Sequence, residues 1–342
     1  MSCLMKTKMG LRKITLLILA MLVAAPPAWA EALHYLQIGT GPPGETHFQL
    51  GALISSAISS PPGLRTCGKG GSCGVPGLIS MASASKGSVF NVQEIAAHRL
   101  DAAVVQADIA LMAYQGKGPF DGQPIRSLRS IARIGSDLLQ VVVRQGGRIK
   151  TLRDLKGKRV SLGEKGSGTL VHARMLLAAL GLSEADLKIE TMRSVEAADA
   201  MAAGKLDAFI VFDAAPCPAV AELAGTMPIA LLPLDKSVVE VLRKADPLLH
   251  DDEVPQGSYT GQDNALDTVS VAVSLVASDR LSDDLAEGIT GSLWSPSTQQ
   301  LLRDGGVVPG RDPATLGTAL NGLALPLHPG AAKFYVSKGA IE

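Results

Sequence analysis

The chain has 342 residues, 46% hydrophobic, 4% aromatic and 19% charged, with 32 Lys and Arg balancing 32 Asp and Glu. That apolar content is far above the disordered range, and the length suits two lobes of ordinary size. Lys6, Lys8, Arg12 and Lys13 precede any acid, so the chain beyond residue 30 is mildly acidic, which excludes a general nucleic-acid footprint.

Residues 1–30 read as an export signal. A basic start precedes the apolar run Ile14–Ala25, and Ala28-Trp29-Ala30 supplies a small-x-small cleavage pattern, with cleavage expected after Ala30. The run falls short of the roughly 20 residues of a comfortable transmembrane helix, leaving a tilted membrane anchor as the alternative. It is also the one long apolar run, which excludes a polytopic membrane protein. The expected location is therefore periplasmic, an oxidising space. Cys67 and Cys73 flank the flexible segment Gly68–Ser72 and are expected to form a disulfide. A zinc site is the alternative, although no second Cys or His pair stands at ligand spacing. Cys217, beside Pro216 and Pro218, is left as a buried thiol.

A weak internal repeat follows. Tyr35–Ile38 is a strand running into the turn Gly39–Gly44, then a helix with Leu50, Leu53, Ile54 and Ile58 on one side. Arg159–Leu162 runs likewise into Gly163–Gly168, then a helix carrying Leu170, Val171, Met175 and Leu177 that stops at Gly181. Leu100-Asp101-Ala102 and Leu206-Asp207-Ala208 each follow a basic residue and open an apolar strand. The longer spacing in the first copy is nearly accounted for by the Gly/Pro/Cys-rich insert Pro61–Gly77. Chance reuse of short strings is the alternative. Alternating strands and helices in both halves predict parallel sheets covered by helices, with ligands collecting where glycine turns meet helix N-termini. Two such lobes facing one another suit a clamshell that closes by hinge rotation on a small molecule.

Gly39-Thr40-Gly41-Pro42-Pro43-Gly44 matches the dinucleotide pattern G-x-G-x-x-G, yet the reading fails. No acid occurs between Glu45 and Glu94 to hold a ribose, and Pro42 and Pro43 have no N–H for a pyrophosphate. Ser167, Gly168 and Thr169, heading the second helix, form the best anion cradle, with Ser88 heading another; the alternative is that both serines are ordinary N-caps. No nucleophile turn, phosphate loop or H-E-x-x-H pair occurs, so no catalytic residue, cofactor or metal site is expected. His250-Asp251-Asp252-Glu253 reads as a solvated loop, and Asp101 and Asp207 as local hydrogen-bonding residues.

At these residues the chain resembles the TAXI family, the TRAP-associated extracytoplasmic solute receptors. The landmarks are Ile38–Gly41, Gly87-Ser88-Val89, Gln106-Ala107-Asp108, Gly116–Phe120, Asp154–Gly163, Gly166–Thr169 and Pro326–Ala331, covering nearly the whole mature chain in order. The resemblance implies a two-lobed periplasmic-binding-protein clamshell (type II-like, each lobe a sheet flanked by helices). It further implies a receptor that captures a small carboxylate-bearing solute, a dicarboxylate or an amino acid, and delivers it to TRAP membrane permease subunits without catalysis. Carried over by position, the pocket draws on Thr40, Thr46, His47, Ser88, Gln106, Ser167, Gly168 and Thr169, with Asp213–Pro218 and Tyr259 as further cleft residues. Where the family commonly carries an aromatic this chain has His47, and Glu45 stands beside it. If Glu45 or Asp213 points into the cleft, a plain dianion is repelled unless a cation intervenes, and a ligand carrying an amine fits better.

The expected organisation is lobe 1 at 31–145 plus 268–342 and lobe 2 at 146–267, with hinges at Arg144–Arg148 and just before Thr268, in a monomer with no nucleic-acid partner. A sensory binding protein serving a receptor kinase and an exported enzyme on the same fold are the other readings.

Overall fold

The computed structural model describes residues 33–65, 67, 73–305 and 314–342. The export signal expected at 1–30 and the Gly68–Ser72 segment lie outside the described residues. The chain lays down β1 (His34–Gly39), α1 (Thr46–Ile58), β2 (Ser59–Ser60), β3 (Val75–Pro76), β4 (Leu78–Ser83), α2 (Ser88–Ala96), β5 (Ala102–Gln106) and α3 (Ala107–Gln115). A long strand, β6 (Leu128–Arg144), then leads into β7 (Arg159–Ser161), α4 (Gly168–Ala179), β8 (Lys188–Glu190), α5 (Ser194–Ala202), β9 (Ala208–Asp213) and α6 (Pro218–Thr226). These are followed by β10 (Ile229–Leu231), α7 (Lys236–Ala245) and β11 (His250–Val254). A second long strand, β12 (Leu266–Ser278), returns the chain to the first half, where α8 (Asp283–Leu293), α9 (Pro296–Asp304) and α10 (Pro329–Ser337) close it.

The repeat read from the sequence is structural. Strand β1 pairs in parallel with β4 and β5, and β7 pairs in parallel with β8 and β9. Asp101 Oδ2 accepts from Gln37 N at 2.8 Å, and Asp207 Oδ2 accepts from Arg159 N at 2.9 Å. Each carboxylate thus pins the strand it precedes to the neighbouring repeat strand. The turn before α4 needs Gly163, whose φ of +96° places any Cβ 2.7 Å from Thr169 Cγ2.

Parallel pairing accounts for only some of the sheet. All ten strands of the large sheet form one mixed surface, in the order β4-β1-β5-β12-β6-β9-β7-β8, with β10 added to β6 and β11 to β12. The joining strands are antiparallel: β12 runs against β5 and β6, and β6 against β9. They hold the centre because they are buried almost throughout, as strands covered on both faces must be. His250–Glu253, expected in a solvated loop, instead pairs with Asp267–Ser270 as an edge strand.

Core membership changes along the two long strands. Ile131, Ala132 and Ile134 of β6 pack with Leu36, Ile38 and Leu50 in the first half, whereas Leu139, Val141 and Val143 pack with Val160, Leu176 and Ile210 in the second. On β12, Val269 and Val271 belong to the second core, and Val273, Leu275 and Ala277 to the first. The chain therefore passes between halves near Asp137 and near Ala272. Arg144–Arg148 lies beyond this, at the end of β6 and in the turn that follows, where Gly147 N donates to Arg144 O. The disulfide between Cys67 and Cys73 is present, with a Cα separation of 4.5 Å, and Cys217 is a buried thiol. Among the described residues no helix is long and apolar enough to cross a membrane.

Candidate functional site

The two halves meet along a polar seam. From the first half come the β1 turn, the starts of α1 and α2, and the junction of β5 with α3; from the second come the Gly163–Gly168 turn, α4, and the end of β9. Asp137 sits on β6 where the halves join. These segments carry most of the residues singled out from the sequence, and the structure brings Thr46, His47, Ser88, Gln106, Ser167, Gly168, Thr169 and Asp213 to this seam.

The seam is shut. Phe90 N donates to Gly166 O at 2.9 Å, Ala219 N to Gly44 O at 3.1 Å, and Ser194 Oγ to Glu45 Oε1 at 2.9 Å. A Cβ on Gly87 would lie 3.2 Å from Ser167 Cα, and one on Gly44 would overlap Val195 Cγ2. The void bounded by Glu45, Gly163, Ser167, Thr169 and Ser194 is only about 10 Å³. The open gap between Ser88 and Ser167 that a clamshell requires is absent, because the protein's own side chains and backbone fill it.

His47 and three carboxylates dominate the electrostatics. His47 Nε2 is 3.0 Å from the Asp137 carboxylate, whose Oδ2 also accepts from Gln106 Nε2 at 2.7 Å. Asp213 Oδ2 accepts from Thr46 N at 2.9 Å, and its Oδ1 from Ala214 N at 2.9 Å. Burial pulls the His47 imidazolium down, but the charge and hydrogen bond of Asp137, aided by Asp213 and Glu45, outweigh it and raise the group to about 9. Burial and then the charge of Asp213 push Glu45 up to about 8, and burial and Asp137 raise Asp213. The arrangement at neutral pH is an imidazolium held by Asp137, with Glu45 kept as the neutral acid.

The expected anion cradle is occupied from within. Ser167 is the N-cap of α4, and its Oγ accepts from Leu170 N at 3.1 Å. Ser88 is not an N-cap: Gly87 holds that place, and Ser88 Oγ accepts from Gln106 N at 3.1 Å. Thr169 Oγ1 accepts from Phe212 N at 3.2 Å. The Gln106 side chain lies against Gly168, where a Cβ would overlap its Oε1, and that oxygen is buried without a hydrogen bond. Thr40 lies deeper, with Oγ1 donating to Ser83 O at 2.8 Å. Tyr259 is away from the seam, in the second-half core, where its hydroxyl accepts from Cys217 N at 2.8 Å and donates to Gln140 Oε1 at 2.5 Å. Gln140 in turn donates to Asp213 O at 3.1 Å, so Tyr259 braces the backbone behind the seam.

Sequence reasoning missed Asp137, although it is the one carboxylate in Leu128–Arg144 and directly precedes the apolar pair Leu138-Leu139, where a buried acid would need a partner. It also missed Asp108, His172 and Asp246, which form a second buried group across the seam.

The mixed sheet, divided into two helix-flanked halves joined by two long strands, is the architecture of periplasmic binding proteins. A model of the NMT1-like family matches residues 38–339, and the chain belongs to that family. A protein from Bordetella bronchiseptica RB50 is similar in structure at 15% identity and a TM-score of 0.52, over 89% of this chain and 98% of that one. The alkanesulfonate-binding protein SsuA from Xanthomonas axonopodis pv. citri, solved with MOPS bound, matches at 17% identity and a TM-score of 0.48, over 90% and 85% of the two chains. A binding-protein component of an ABC phosphonate transporter from Pseudomonas aeruginosa matches at 11% identity and a TM-score of 0.47, over 80% and 79%.

Proposed function

We propose that this protein is an exported solute-binding receptor whose halves open about β6 and β12 to admit a small molecule at the seam. The observation that carries this reading is the seam itself. Two sets of hydrogen-bonding side chains from opposite halves face one another, and the strands joining the halves exchange core partners at Asp137 and Ala272. Hinge rotation there would expose both sets at once, with 31–137 and 273–342 moving against the rest. On this reading the lobes divide near 137 and 273, against the 145 and 268 expected from the sequence.

The charge distribution favours a solute with an amine. His47 and Asp137 offset one another and Glu45 holds its proton, which leaves the Asp213 carboxylate to repel a plain dicarboxylate and to attract an ammonium group. The carboxylate of the same solute would face the head of α4, at Ser167, Gly168 and Thr169, once Gln106 swings aside. An amino acid has both ends. The receiving partner is a membrane transporter; the strings shared with TRAP-associated receptors favour TRAP permease subunits. Native mass spectrometry of the purified protein, then a thermal-shift screen of amino acids beside dicarboxylates lacking an amine, tests this. Amino acids should raise the melting temperature and the dicarboxylates should not. Stabilisation by the dicarboxylates alone, or by neither class, would refute it.

A further inference from the structure

Besides His47 and its carboxylates, a second buried polar group crosses the seam. Asp108, near the start of α3 in the first half, faces His172 of α4 and Asp246 at the C-terminal end of α7, both in the second half. All three are buried, and one donor atom from each lies within 4.8 Å of the others.

The hydrogen bonds around the three groups orient them toward one another. His172 Nδ1 is 2.8 Å from Gly168 O, and a carbonyl only accepts, so Nδ1 carries a proton and Nε2 is the atom turned toward the carboxylates. The imidazole is held further by the edge-to-face contact with Phe212, at a centroid distance of 4.2 Å. Asp246 Oδ1 accepts from Leu248 N at 2.9 Å, which fixes that carboxylate while leaving its other oxygen. Asp108 Oδ2 lies 2.5 Å from His172 Nε2. The two remaining oxygens, Asp108 Oδ1 and Asp246 Oδ2, are buried with no backbone or side-chain N–H or O–H reaching them, and the two carboxylates lie close enough to share a proton. Such groups are costly unless something positive lies between them.

We propose that Asp108, His172 and Asp246 bind a divalent transition-metal ion of the zinc class, which ties the two halves together in the closed state. One imidazole with two carboxylates is a nitrogen and oxygen donor set, and the imidazole favours Zn²⁺ over Mg²⁺ or Ca²⁺. The hydrogen bond from Nδ1 to Gly168 O supplies the outer-shell support that metal-bound histidines carry. On binding, the proton shared between His172 Nε2 and Asp108 Oδ2 leaves to solvent, so uptake releases protons and weakens as pH falls. Asp108 belongs to one half and the other two ligands to the other half. The complete set therefore exists only when the seam is shut, and the ion enters and leaves with opening. This proposal does not depend on the identity of the solute.

The test uses the exported full-length protein, stripped with a chelator and titrated with Zn²⁺ alone in calorimetry, with bound metal counted by elemental analysis. One equivalent of Zn²⁺ should bind, release protons in buffers of differing ionisation enthalpy and raise the melting temperature, while Mg²⁺ at the same concentration should not. His172→Gln and Asp246→Asn should each weaken binding at least about tenfold. Should His172→Gln fail to fold, Asp246→Asn, at the end of a helix, carries the test alone. Asp121→Asn, an exposed carboxylate outside both buried groups, should leave the affinity unchanged. No Zn²⁺ binding by the unaltered protein, full binding by Asp246→Asn, or loss of the ion only in Asp121→Asn would each overturn the assignment.

Discussion

Replacing Glu45 with Gln should flatten the dependence of stability on pH. Glu45 is raised from 4.5 to about 8 by burial and by Asp213, so the folded protein binds a proton there that the unfolded chain gives up. A raised folded value means that the stabilisation is complete below 4.5 and is lost as pH rises through 8. The full difference corresponds to about 5 kcal/mol at 1.36 kcal/mol per pH unit. Glu45 is only partly buried, and solvent screening reduces this to a few kcal/mol. His47, raised from 6.5 to about 9, acts in the same direction between those values. Melting temperature measured from pH 5 to pH 9 should therefore fall for the wild-type protein, by roughly 5 °C or more from Glu45. Glu45→Gln keeps a hydrogen-bond acceptor for Ser194 but cannot ionise, so its curve should diverge upward above pH 5 and retain the shallower decline from His47 and the other raised groups, His172, Asp213, Asp246 and Glu164. Parallel curves across the range, or a wild-type protein that gains stability toward pH 9, would refute the assignment of a neutral acid at the seam.

Gly44→Ala should keep the seam from closing while the halves stay folded. Its φ of +92° disfavours a side chain by about 1–3 kcal/mol, and the new methyl would overlap Val195 of the opposite half. Small-angle scattering should report a larger radius of gyration, reduced again by adding Val195→Ala; an unchanged radius would count against contact through Gly44. Ser167→Ala removes the N-cap of α4 and should cost about 1 kcal/mol, read as a lower denaturation midpoint, whereas unaltered melting would mean that the cap contributes nothing.

Much of each half could be read from local pattern. The strand, glycine-turn and helix units at Tyr35 and Arg159 form as their spacing requires, and Asp101 and Asp207 do the same structural task in both copies. The Cys67–Cys73 pairing was equally legible, since a short flexible ring leaves little alternative in an oxidising space. What the pattern hid was partnership at long range. The pattern of Leu128–Arg144 does not say whether its neighbours are parallel, and the antiparallel joining of the two halves followed from contacts far apart in sequence. The seam shows the same limit. His47, Asp137 and Asp213 come from three separate elements, and their closeness exists only after the sheet has formed. His172 lies on the buried face of α4 among Leu170, Ala173 and Leu176, where a single histidine looks like core until Asp108 is seen opposite it.

The lending of β6 and β12 to both halves bears on how the molecule can be cut. A fragment of residues 146–267 would lack β6 and almost all of β12, leaving β9 and β11 without the neighbours that complete their hydrogen bonds. A self-standing fragment would have to begin near Leu128 and run to Ser278, depriving the remainder of both strands at its centre. Neither half is autonomous, so heat or denaturant should melt this chain in one cooperative step, despite its bilobal outline.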